Sequence, residues 1–239
     1  SVFPGTDGIS RLTAGLDKWF TYEYDDSAKN INKDDFKIKE WRLEQRLGVS
    51  HFRAPPDFRK FEYFLQGQKN LDLKIPFLRF PQWHYCINRK CSLMTKVQLT
   101  EATNKPKCKE CGTRIVQAPL VAICQDGHID DFPWNEYCHK TLTPKCSGEN
   151  LRFKFQGVPS LSGQSVYCKD CDTRRTLGAA LGENISITPQ NQNDSSVVFP
   201  CNGRRTWLHD HVGESCSNNY QGSLRSSIKV YFSKIASSI

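Results

Sequence analysis

No run of apolar residues in this chain reaches membrane-spanning length, which excludes a transmembrane helix within it. The phosphate-binding pattern GxxxxGK followed by Ser or Thr is also missing, so the chain is not expected to hydrolyse nucleotide alone. No Ser-His-Asp arrangement stands out. Hydrophobic residues are scarce at 38%, low for one well-filled core, and metal clips compensate where apolar burial is thin. A secretory leader is not recognisable, and the cysteine count is odd, at eleven. Both points argue against an extracellular disulfide framework and for reduced thiols in the cytoplasm.

Residues 1–79 contain no cysteine; the chain beyond them carries all eleven. The stretch from Phe80 to Trp134 organises the rest. Cys86 and Cys91 have four residues between them, Cys108 and Cys111 have two, and sixteen residues separate the pairs. Two close pairs at such a distance have the spacing of a structural zinc site. Gly112 permits the left-handed turn such a knuckle needs. Four thiolates would close a tetrahedral shell and leave no position for substrate. CxxC pairs also form redox disulfides, but no thioredoxin-like strand and helix pattern surrounds these.

Two parts are expected. Residues 1–79 read as an N-terminal α+β segment packing on a zinc core. Residues 80–239 read as a cysteine-rich zinc-binding domain. The fold class is α+β, irregular and zinc-stabilised, with short antiparallel strands, zinc-ribbon-like knuckles and a few helices.

In the first part, Asp34 or Asp35 is placed to cap a helix that Gly48 ends. Phe58, Phe61, Tyr63, Phe64 and Leu65 form an aromatic cluster that packs against core or partner, or stacks bases. Ile75 to Phe80 reads as a strand, Leu93 to Ala102 as a ribbon hairpin, and Arg114 to Ile123 as an apolar strand. His128, Asp130 and Asp131 crowd together after a turn at Asp126-Gly127. They fit a catalytic metal or acid–base group. Equally, Asp130 or Asp131 caps a helix starting near Pro133, with His128 in a structural hydrogen bond or completing a zinc shell.

Cys168 and Cys171 form a third knuckle, running into a short helix expected over residues 172–182. Cys168, Cys171, Cys201 and Cys216 could close a second zinc shell, with Cys124 and Cys146 as rivals. Arg174 and Arg175 follow one cysteine pair; Arg204 and Arg205 follow Cys201. The two arginine pairs converge if Cys171 and Cys201 share an ion. They then bind DNA phosphate, or pair with carboxylates such as Asp170, Asp172 or Asp210. Residues 183–196 are polar loop, and the end, SSIKVYFSKIASSI, alternates like a strand with an open edge.

The formal charge is +8, from 33 Lys and Arg against 25 Asp and Glu. Each four-thiolate zinc site carries about −2, so two would lower the total to about +4. That permits nucleic-acid contact without arguing for it.

Several blocks stand in one order: AGLDKW, FPQWHYC, CxxCG, LVAICQDGHIDDFPW, CxxC with RRTLGAA, CNGRRTWL and VYFSKIASSI. Together they resemble the DrmB family, a core component of the bacterial DISARM anti-phage system. They also resemble the cysteine-bearing domain at the C-terminus of certain DEAD/DEAH-like helicases. The resemblance covers most of the chain and is most specific from Phe80 onward. It implies a non-catalytic zinc protein that binds a DrmA-like helicase partner and helps hold DNA in antiviral defence. Family members are longer, so an incomplete part of a longer protein is expected. Two other readings stay open: a metal-dependent nuclease or hydrolase using His128, Asp130 and Asp131, and a purely structural scaffold.

Overall fold

The structure is a computed structural model. It describes residues 2–5, 8–19, 33–55, 75–100, 105–157, 160–182, 184–185, 198–208, 213–227 and 230. Contacts divide the chain into two units: Ser1–Leu12 with Leu78–Tyr231, and Thr13–Phe77 with Phe232–Ile239.

In chain order the strands are β1 (Val2–Pro4), β2 (Ser10–Thr13), β3 (Lys37–Ile38), β4 (Phe52–Arg53), β5 (Phe77–Arg79), β6 (Trp83–Cys86) and β7 (Met94–Lys96). Then follow β8 (Ile115–Gln117), β9 (Leu120–Ile123), β10 (Ile129–Asp131), β11 (Leu151–Phe155), β12 (Gln164–Cys168), β13 (Thr173–Thr176) and β14 (Gln221–Leu224). Among the described residues there are two short α-helices, α1 (Trp41–Leu47) and α2 (Trp134–His139). The class is α+β, as expected, and the β1–β2, β3–β4, β6–β7, β6–β8, β9–β10, β9–β14, β11–β12 and β12–β13 pairings are all antiparallel.

The smaller unit shows why its helix is short. The apolar positions Phe36, Ile38, Trp41, Leu43 and Leu47 do not share one face, and none of the α1 residues is buried. Gly48 ends α1 with φ 64°, the left-handed cap that glycine adopts without strain. Neither expected aspartate caps the start. Glu40 precedes α1 and its N–H is taken by the Glu44 carboxylate at 3.1 Å, while Asp34 pairs with Lys37 at 2.9 Å. The aromatic cluster from Phe58 to Leu65 lies outside the described residues.

The described residues form four three-stranded sheets, ordered β1-β2-β5, β7-β6-β8, β10-β9-β14 and β11-β12-β13. The hairpin expected over Leu93 to Ala102 does not form within its described residues, which carry one strand, β7; it pairs back across the first knuckle with β6. Arg114 to Ile123 is not one strand; Pro119 lacks a ladder donor and separates β8 from β9. The helix expected after Cys171 is strand β13, paired from Thr173↔Cys168 to Thr176↔Ser165. The helix expected near Pro133 forms as α2, but without a side-chain cap; Asp130 and Asp131 belong to β10 instead. Most of the C-terminal segment and of residues 183–196 lies outside the described residues.

The main core gathers Phe132, Trp134, Tyr137, Leu151, Phe153, Val166, Leu177 and Tyr220, all nearly inaccessible to solvent. Phe153 stacks on Tyr85 at 4.5 Å and meets Trp134 edge-on at 5.8 Å, arrangements aromatic quadrupoles favour. A second cluster is far poorer: besides cysteines it contains only Leu93, Val97 and Ile115.

Candidate metal centres

Ten of the eleven cysteines and two histidines fall into groups. Three sets of four ligand atoms lie within 4.8 Å of one another: Cys86, Cys91, Cys108, Cys111; Cys124, His128, Cys201, Cys216; and His139, Cys146, Cys168, Cys171. All eleven cysteines are free thiols. Cys138 stands outside the groups, buried, with its thiol 3.5 Å from the Thr173 carbonyl.

The first set is built by two tight turns. Cys86 ends β6, and Asn88 accepts from the N–H groups of Cys91 and Ser92 at 3.0 and 2.8 Å. Cys108 takes the Gly112 N–H on its carbonyl at 2.9 Å, with Gly112 at φ 69°. The sulfurs of Cys86 and Cys111 lie 3.4 Å apart, those of Cys91 and Cys108 3.6 Å. These are too long for disulfides, and close to the edge of about 3.8 Å of a tetrahedron with metal–sulfur bonds near 2.3 Å. Arg152 donates to both oxygens of Glu110 at 2.8 and 2.7 Å and holds that carboxyl down to about 2. The same guanidinium reaches within 4.0 Å of the Cys91 sulfur.

The second set forms where β9, β10 and β14 meet. The β9–β10 turn carries Cys124 and His128, whose backbones pair at 3.1 Å. Pairing of Gln221 with Ile123 brings the segment before β14 alongside, and Cys201 donates its N–H to the Asn218 carbonyl at 2.9 Å. His128 Nδ1 faces the sulfurs of Cys124 at 3.2 Å and Cys201 at 3.6 Å. Its Nε2 meets the Glu214 carboxylate at 2.6 Å, and Arg205 pairs with that carboxylate at 3.2 Å. A carboxylate on the far nitrogen is how metal-ligating histidines are oriented.

The third set joins α2 to the β12–β13 turn. His139 Nδ1 donates to the Asn135 carbonyl at 2.8 Å. Its Nε2 is buried without a hydrogen-bond partner, and with Nδ1 engaged it is the nitrogen left to serve as a ligand. The Asn135 amide also donates to the Cys146 carbonyl at 2.9 Å, so one residue orients two donors. The Cys146 and Cys168 sulfurs lie 3.6 Å apart.

The donor atoms fit a metal in all three places, so three clusters here could hold metal ions. Burial pushes the Cys91 and Cys201 thiols up to about 12, and neighbouring Cys146 pushes Cys171 up to about 11. Thr113, through hydroxyl and amide, draws Cys111 down to about 6. Packed sulfurs do not ionise together unaided; a divalent cation reverses that balance.

The structure brings Cys86, Cys91, Cys108 and Cys111 together. It separates the other expected set: Cys168 and Cys171 sit with Cys146, Cys201 and Cys216 with Cys124. Strand pairing is the reason, because β14 draws Cys216 to β9 while β12 remains with α2 and β13. The spacing missed His139. The signal was the odd count: four, three and three cysteines in sets leave one over, and two sets then need a histidine each.

His128, Asp130 and Asp131 do not converge as a ligand set among the described residues. Asp130 pairs with Arg204 at 3.4 Å, and Asp131 accepts the Gln82 N–H at 2.9 Å. The arginine pairs are placed at different clusters, because Cys171 and Cys201 are. Arg174 is exposed and donates to Ser165 at 3.0 Å; the Arg175 guanidinium lies 4.0 Å over the Tyr137 ring. Arg204 and Arg205 take Asp130 and Glu214 as partners.

The family described as Domain of unknown function (DUF8724) matches residues 2–232. The chain is also 28% identical over 182 residues, 72% of its length, to the DISARM protein DrmB of Bacillus paralicheniformis (strain ATCC 9945a / NCIMB 11709 / CD-2). It spans 32% of that relative, about a third of its length. No described helix is long and apolar enough to cross a membrane.

Proposed function

We propose, for a chain that belongs to the DUF8724 family and is related to DrmB, a non-catalytic zinc-binding role in a DISARM-like antiviral complex. In this reading it works in the cytoplasm, associates with a helicase subunit and assists DNA binding. The observation that carries it is the trio of four-donor clusters in a chain of this ancestry. Thiolate and imidazole donors in tetrahedral sets are the environment of structural zinc, and a filled shell offers substrate no position. Three ions would leave the chain modestly basic. One four-thiolate shell contributes about −2 and two three-thiolate shells about −1 each, taking +8 to about +4.

The hydrolase reading has less support, since His128 is turned toward sulfurs and Glu214 and the two aspartates are engaged elsewhere. The test is co-purification with a helicase subunit, then DNA affinity with and without this chain, and metal content by mass spectrometry. Zinc near three equivalents, a stable complex and tighter DNA binding are expected. Metal-dependent DNA cleavage lost in Asp131→Asn would favour the hydrolase.

A further inference from the structure

Beside the first cluster lies a groove of about 520 Å³ whose walls include Thr95, Lys96, Lys105, Lys107 and Lys109. Every second residue from 105 to 109 is lysine, and all three face the groove. No carboxylate lines it. The four lysines are exposed, and among the described residues no ion pair within 4.0 Å involves them. Lys96 and Lys109 also border a neighbouring pocket of about 470 Å³, but Asp130, Asp131, Glu136 and Glu149 line that one. The first side carries positive charge alone, whereas the second, with Arg204 among its residues, carries charges of both signs.

We propose that this lysine groove takes the phosphodiester backbone of DNA. The proposal rests on the nucleic-acid reading above and moves its contact surface away from the arginines. Arg204 and Arg205 are already matched to carboxylates, and Arg175 is spread over Tyr137. Lys105, Lys107 and Lys109 offer charge that no described carboxylate pairs with, and ammonium groups bind phosphate as point charges without reading bases. Binding here is sequence-independent and strongly salt-dependent, since each phosphate neutralised releases counterions. A competing role is local: the lysines could offset the excess charge of the neighbouring thiolate shell.

The experiment uses the zinc-loaded full chain and a fluorescein-labelled duplex of mixed sequence, read by anisotropy across salt. Replacing Lys105, Lys107 and Lys109 by Gln should weaken binding to every sequence alike. It should flatten the slope of log affinity against log salt by about 2 to 3 units, one phosphate contact per lysine. Replacing the same three by Arg should keep the wild-type slope. Arg174→Gln with Arg175→Gln should leave the slope unchanged. A wild-type slope in the Gln variant, above all with metal content reduced, would assign the lysines to the cluster and overturn the proposal. Flattening in the arginine variant alone would overturn it too and leave DNA binding standing. Wild-type chain that does not bind the duplex would refute the nucleic-acid reading itself, and this proposal with it.

Discussion

Glu214 sits at the chemical centre of the second cluster without being one of its ligands. Its carboxylate takes His128 Nε2 at 2.6 Å and Arg205 at 3.2 Å, leaving Nδ1 to face the sulfurs. Such a partner fixes the ring tautomer and strengthens the histidine as a donor. Glu214→Gln keeps an acceptor but removes the charge. Metal affinity should fall about tenfold or more at one site only, read as one equivalent passing earlier to a competing chelator. Three equivalents still released together would remove Glu214 from that role. Asp131 gives a pH signature. Burial pushes its carboxyl up to about 6, against the pull of Lys96 and with the push of Asp130. The unfolded chain's aspartate ionises near 3.9, so between those values the folded state holds the extra proton. Stability from this group is therefore full below about 4 and lost as pH rises through about 6. The gap in melting temperature between Asp131→Asn and wild type should move toward the variant from about pH 4.5 to about pH 7. A gap that ignores pH would mean this carboxyl does not titrate there.

Strand pairing selects which cysteines meet, and that is the element the spacing of residues least reveals. The first cluster was legible because all four ligands lie within one ribbon, from Cys86 to Cys111. The second draws on residues 124 to 216, joined through β9 and β14, and no local pattern announces that pairing. β13 was misread as a helix although Thr173 and Thr176 are β-branched and favour a pleated surface. Its edge position beside β12 outweighs the helix-forming Leu-Gly-Ala-Ala run that follows. The loops carrying the second cluster approach so closely that Gly203, at φ +63°, leaves no room for a side chain. A Cβ there would lie 1.7 Å from the Glu214 carbonyl oxygen. Gly203→Ala should therefore part the two loops, costing on the order of 3 kcal/mol or more and one metal equivalent. Thermal melting with metal analysis checks this; near-wild-type values for both would contradict the packing.

Scarce apolar residues and abundant cysteine describe one design at the scale of the whole molecule. Three cluster cysteines, Cys124, Cys168 and Cys201, are part of the main core with Phe132, Trp134 and Phe153. The first cluster has only Leu93, Val97 and Ile115 around it. Metal binding free energy is folding free energy where little else holds the chain, but its reach depends on that packing. Cys108→Ser should release one ion and unfold the surroundings of the first cluster. Amide exchange should accelerate in β7 and β8, while β11 and β12, backed by Leu151, Phe153 and Val166, keep protection. Cys168→Ser strikes the main core, where Cys168 is fully buried opposite Leu151. There the loss of one thiolate removes metal and core packing together, so protection should fall across β11, β12, β13 and α2 at once. Cys138→Ala probes burial without a ligand role, and it should retain every metal equivalent. Equal exchange patterns in the two serine variants would mean the clusters fold as one unit. A local effect from Cys168→Ser, or a global one from Cys108→Ser, would place the support of the fold in the cluster with the smaller core.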